Sequence, residues 1–193
     1  MQLLPLVKRL RIMRSYKNSN LSLPTVLNAR SPVYFAFMNV QELAIDRLNL
    51  PKLTPRVHLY IGPFMPTLRS LALTNPWGTC TQLLYFIGLF PNLDNLKLTD
   101  NRLEGREPAP ALVPRSTPPL RGGLALIRFR DRGFIEGLFR LSGGLRFRYV
   151  DVVWVGPGTR FLLESCAETL ETLRIYCCQA SKGYSRVFRS SLV

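Results

Sequence analysis

Apolar residues in this chain return in one phrase, Leu-x-x-Leu-x-Leu. Its last two leucines are two apart, so they point to the same side of an extended strand. The phrase is cleanest at Leu68-Leu71-Leu73, Leu93-Leu96-Leu98 and Leu170-Leu173-Ile175. Looser copies lie at Val7-Leu10-Ile12, Val40-Leu43-Ile45 and Phe147-Val150-Val152, with a degenerate one at Leu120-Leu124-Leu126. The central positions 10, 43, 71, 96, 124, 150 and 173 are 33, 28, 25, 28, 26 and 23 residues apart. Such periods predict an irregular α/β leucine-rich-repeat solenoid of about six or seven units. Parallel strands would line its concave side, with helices and loops on the convex side.

The intervals carry a second periodicity. In "TCTQLLYFIGLF" (79–90), Leu83, Leu84, Ile87 and Phe90 fall at helical spacing, and Pro91 stops the helix. "RGFIEGLFRLSGG" (132–144) puts Phe134, Ile135, Leu138 and Leu141 on one face, with Gly143-Gly144 as terminator. In "RFLLESCAETL" (160–170), Phe161, Leu162, Cys166 and Leu170 form a stripe, and Thr159 is read as its N-cap. Pro24 and Pro32 break the return segment over 21–38. Five prolines within 104–119 exclude a helix there and predict a long loop. Residues 1–178 are therefore assigned to the solenoid, and 179–193 to a basic tail that caps the stack or frays.

Strand alternation sends the residues between the marked positions outward. Those outward residues run from Arg9 and Arg11 through Glu42, Ala44 and Asp46 to a small, neutral middle. They end at Tyr149, Asp151, Thr172, Arg174 and Tyr176. From this face Arg9, Arg11, Asp46, Lys97, Tyr149, Asp151, Arg174 and Tyr176 are the candidate protein-binding residues, since tyrosine and arginine commonly anchor interfaces.

Charge complicates the picture. The chain carries a net charge of +14, six basic residues and no acid before Glu42, and nine arginines over 115–160. That excess suits nucleic acid, an anionic surface or an acidic protein. "LIRFRDR" (126–132) and "LRFRYVDV" (145–152) interleave arginine with aromatics, as single-strand binders do. Phe147, however, occupies an inward repeat position. The alternative to protein binding is thus a basic RNA-binding or ribonucleoprotein-associated repeat protein. The basic, acid-free N-terminus imitates a mitochondrial presequence, but Val7-x-x-Leu10-x-Ile12 matches the later strand phrases, and the strand reading is preferred. No apolar run is long enough for a membrane span.

Candidate chemistry is sparse. His58 is the only histidine, so any His-dependent triad must use it, and "TPRVHLYIG" places it on the polar side of a short strand. The glycine clusters at 142–144 and 156–158 match neither phosphate-binding pattern. The four cysteines show no metal spacing and are read as reduced thiols in a cytoplasmic or nuclear setting. The expectation is a protein without enzymatic activity, cofactor or metal.

Three stretches carry a family resemblance: "MPTLRSLALTNPWGTCTQLLYFIGLFPNLDNLKL" (65–98), "PPLRGGLALIRF" (118–129) with "GGLRFRYVDV" (143–152), and "LLESCAETLETLRIY" (162–176). Over roughly 40–176 the chain resembles the leucine-rich-repeat region of F-box-type proteins from mushroom-forming fungi. The resemblance implies substrate reception for a cullin-based ubiquitin ligase: an F-box docks an adaptor while the repeats hold the target. No F-box is expected here, because repeat-like sequence begins at residue 7 and "SLPTVLNARS" (22–31) lacks the acidic residue of the F-box opening. A ligase adaptor is a partner only if an F-box lies upstream, as in a truncated relative.

Overall fold

A computed structural model of the chain describes residues 7–13, 39–52, 65–100, 102–103, 120–128, 132–142, 144–153, 157–177 and 186–191. The return segment 21–38, the His58 strand, the 104–119 loop and most of the tail lie outside the described residues. The strands, in chain order, are β1 (Arg9–Ile12), β2 (Glu42–Asp46), β3 (Ser70–Thr74), β4 (Trp77–Gly78), β5 (Asn95–Thr99), β6 (Arg102–Leu103), β7 (Gly123–Ile127), β8 (Tyr149–Val152), β9 (Thr172–Cys177) and β10 (Arg186–Ser191). The helices are α1 (Cys80–Gly88), α2 (Arg132–Ser142) and α3 (Pro157–Cys166), and a 3-10 turn spans Leu50–Lys52.

Seven strands form one parallel sheet in the order β1-β2-β3-β5-β7-β8-β9, and β10 adds antiparallel to β9. The register follows the leucine phrase. Leu10, Leu43, Leu71, Leu96, Leu124, Val150 and Leu173 are successive cross-strand partners. A slip of one residue would turn every leucine to the other face, so burial of one face pins this alignment. Burial alternates accordingly: Leu43, Ile45, Leu71, Leu73, Leu96, Leu98, Leu124, Leu126, Val150 and Val152 are buried, and their strand neighbours are not.

Against the leucine face lie the helices. Thr79 opens α1 with a reciprocal capping box: its hydroxyl accepts from the Gln82 N–H, and the Gln82 side chain accepts from the Thr79 N–H. Leu83, Leu84, Phe86 and Ile87 are buried, and Phe86 meets Phe90 edge-on at 5.4 Å. In α2 the expected stripe of Phe134, Ile135, Leu138 and Leu141 is buried. Gly137 lets α2 approach α1, because a Cβ there would overlap Leu84. The helix α3 differs from expectation. It begins at Pro157, a residue pre-set for the first helical turn, so Thr159 lies inside the helix and is buried rather than capping it. Strand leucines and helix side chains form one continuous core.

Backbone atoms join neighbouring strands at both ends. At the entries, one carbonyl accepts two N–H groups of the next unit: Lys8 from Gln41 and Glu42, Gln41 from Arg69 and Ser70, Arg69 from Asp94 and Asn95. Gly122 and Arg148 repeat this arrangement further on. At the exits, Arg47, Asn75, Asp100 and Arg128 have φ between 50° and 57°, in the left-handed region. The first three donate their N–H to the last strand residue of the following unit, Thr74, Thr99 and Ile127. Part of the stretch read as a tail, Arg186–Ser191, forms β10.

Candidate functional site

The face of the sheet opposite the leucines is open. One register row across it reads Arg11, Ala44, Ala72, Lys97, Ala125, Asp151, Arg174 and Arg189. Beside it run Arg9, Glu42, Ser70, Asn95, Gly123, Tyr149 and Thr172, with Gly123 aligned to Tyr149. Where small side chains meet in β7, the face sinks into a cavity of about 410 Å³. Gly123 and Ala125 lie on its floor. Lys97 stands on one side, Tyr149, Asp151 and Arg174 on the other, with Ser70, Asn95 and Thr172 along the strand entries.

The floor depends on a local departure in the entry pattern. The Gly123 N–H is taken by the Asn95 side chain at 2.7 Å, while the Asp94 carbonyl accepts only from Gly122, at 3.1 Å. A Cβ on Gly122 would sit 2.5 Å from Asn95 Oδ1 and 2.7 Å from the Asp94 carbonyl oxygen. Glycine at 122 is what admits the asparagine, and the asparagine secures the N–H of the strand that floors the hollow.

Asp151 is the electrostatic centre. Burial pushes its carboxyl above the ordinary carboxylate value, while Arg174 and Lys97 pull it back down. Its Oδ1 is buried and has no hydrogen-bond partner among the described residues. An unsatisfied buried acceptor is unusual in a folded protein and identifies a polar group with bonding capacity in reserve. Lys97, Arg174 and Tyr149 are exposed, Tyr149 by 52%.

Models of known families, curated proteins and solved structures provide no match to this chain.

Of the eight candidate residues, Lys97, Tyr149, Asp151 and Arg174 line the hollow. The other four lie elsewhere on the open face. Arg9 pairs with Glu42 at 2.9 Å near the β1 edge, Arg11 is exposed on the same strand, Asp46 sits 3.8 Å from Arg47, and Tyr176 is half-buried in β9. Ser70, Asn95, Gly123, Ala125 and Thr172 were not singled out as binding residues. Their common signal is small or short polar side chains at consecutive outward positions, which leaves space between longer neighbours.

Among the described residues no cluster of histidine, cysteine and acidic side chains can hold a metal ion. Burial raises the Cys166 thiol above its ordinary value, more than a backbone hydrogen bond involving Phe147 lowers it. Such a group stays protonated and is a poor nucleophile. No helix among the described residues is long and apolar enough to cross a membrane.

Proposed function

We propose that the chain is an irregular leucine-rich-repeat solenoid, without enzymatic activity, that holds a protein partner on its open sheet face. The observation carrying this reading is the hollow at β5, β7, β8 and β9, where tyrosine, lysine, arginine and a half-buried aspartate converge on a floor of glycine and alanine. Rigid strands present these groups, and small floor residues give a partner side chain room to be desolvated. The matching register of seven phrases supports the repeat assignment. Substrate reception for a ubiquitin ligase extends the reading along the F-box resemblance, and requires an F-box preceding the repeats.

The nucleic-acid alternative calls for arginines gathered on one side, and their placement disfavours it. Arg121, Arg146 and Arg148 stand at strand entries, Arg128 at a strand exit and Arg140 on α2. Arg128 is also held by Asp100 at 2.9 Å, and Arg148 lies 3.6 Å from Glu171.

Affinity capture from the native source, with the full chain as bait and mass spectrometry as readout, tests the reading. A protein retained by wild type and lost from a Tyr149→Ala, Arg174→Ala double variant is the expected result. Co-recovery of a cullin or its adaptor extends it to ligase recruitment. Capture indifferent to both substitutions, or abolished by nuclease with a steep salt dependence, overturns it.

A further inference from the structure

The open face carries only a small part of the +14 charge of the whole chain. By register its charges are Arg9, Arg11, Lys97, Arg174 and Arg189 against Glu42, Asp46 and Asp151. Arg9 and Glu42 pair with each other at 2.9 Å. At the hollow, two cations flank one carboxylate. Three strand spacings, about 14 Å, separate the β5 and β9 backbones that carry Lys97 and Arg174.

A ligand for this arrangement must satisfy two demands at once. Lys97 and Arg174 are donors only and call for an acceptor, preferably an anion. Asp151 is a half-buried carboxylate whose Oδ1 has no hydrogen-bond partner among the described residues, and it calls for a donor. A cationic side chain meets the second demand but is repelled by both flanking cations. A nucleic acid meets the first and carries donors in its 2′-hydroxyls and bases, but it runs an unbroken line of phosphate charge past Asp151. A peptide with acidic side chains meets both, through carboxylates and its own amide or hydroxyl groups.

We infer that the hollow recognises an acidic segment of a protein partner, with a ligand carboxylate drawn to Lys97 and Arg174 and a ligand N–H or hydroxyl turned to Asp151. The inference rests on the protein-binding reading above and specifies its partner. Asp151 acts as the selectivity group: it admits spaced anions that carry a donor and disfavours an unbroken polyanion. Burial has already lifted its carboxyl, so part of the cost of desolvating it is carried before a ligand arrives.

Fluorescence anisotropy on the full chain tests this with three labelled probes: a peptide of alternating glutamate and serine, one of alternating lysine and serine, and an oligouridylate of matched charge. The glutamate–serine peptide is expected to bind best. Lys97→Glu and Arg174→Glu should each weaken it about tenfold or more, with Lys97→Ala giving a smaller loss in the same direction. Arg140→Glu changes the net charge equally at an exposed position of α2, and should alter affinity less than about twofold. Asp151→Asn should narrow the preference for the peptide over oligouridylate severalfold. Equal losses for Arg140→Glu and Lys97→Glu, or tighter binding of the lysine peptide or the oligouridylate, overturn the inference. If no probe binds while capture of a native protein still depends on Tyr149 and Arg174, the acidic specificity is wrong and the protein-binding reading stands. If both experiments ignore the hollow, both fail.

Discussion

Gly122 offers the sharpest test of how the floor of the hollow is built. Its backbone lies outside the left-handed region, so alanine can adopt the conformation and any cost is steric. The new Cβ would lie 2.5 Å from Asn95 Oδ1 and 2.7 Å from the Asp94 carbonyl oxygen, against an ordinary C···O approach of about 3.3–3.6 Å. Asn95 can swing away only by giving up its 2.7 Å bond to the Gly123 N–H, a loss of about 0.5–1.5 kcal/mol. The Asp94 carbonyl is held by the Gly122 N–H at 3.1 Å, so the strand entry must shift, at about 1–3 kcal/mol. Reduced freedom of the unfolded chain returns about 0.4–1 kcal/mol. Gly122→Ala should therefore destabilise by about 0.5–4 kcal/mol, centred near 2. In an Asn95→Ala background the hydrogen bond is already gone, so the same substitution should cost about 1 kcal/mol less. Urea unfolding of the four proteins, followed by circular dichroism and tryptophan fluorescence, measures this coupling, and coincident transitions license the free energies. Additivity within about 0.3 kcal/mol, or a neutral Gly122→Ala, would falsify the account of the floor.

Three further outcomes are expected. The raised carboxyl of Asp151 means that the folded chain binds more protons than the unfolded one between the ordinary value of 3.8 and the folded value, so stability falls as pH rises through that window. Asp151→Asn should unfold at higher urea than wild type at neutral pH and lose this advantage below the window; a less stable variant at neutral pH refutes the assignment. Gly78→Ala should cost about 3 kcal/mol, because φ is 142° and a Cβ meets Leu50 and Pro51 within 2.9 Å and Gln82 Oε1 at 2.8 Å; a loss under about 1 kcal/mol shows that glycine is not required there. Leu71→Ala, at a fully buried position in β3, should cost about 2–5 kcal/mol. Leu10→Ala, at a half-buried place in β1, should cost clearly less in the same urea assay, and equal losses contradict the burial gradient.

The strands were legible because the last two apolar positions of each phrase form two partner rows, and a single buried face leaves no other register. The helices were legible where helical spacing coincided with a cap, as at Thr79 and Gln82. The start of α3 was misplaced because both Pro157 and Thr159 suit a helix beginning, and the fixed φ of proline acts two residues earlier. The left-handed exits were half visible: Asn75 and Asp100 tolerate that region, whereas Arg47 and Arg128 give no local signal. β10 carries no phrase, and it pairs antiparallel, outside the run of parallel strands. The hollow was hidden for a different reason. Alternation assigned Gly123, Ala125 and Asp151 to one face, but the space above small residues and the unsatisfied Oδ1 depend on cross-strand neighbours far apart in sequence.

Strand order in the main sheet follows chain order throughout. Tension applied at the two ends would therefore run through the strands in series, and each interface would bear the load alone. A strand pulled from either edge breaks its bonds to one neighbour and leaves the rest of the ladder intact. Each released interval of 23–33 residues would lengthen the tether by roughly 80–120 Å. Under force the molecule should pay out chain in steps, as a ratcheted strap does, and keep its remaining face assembled between them.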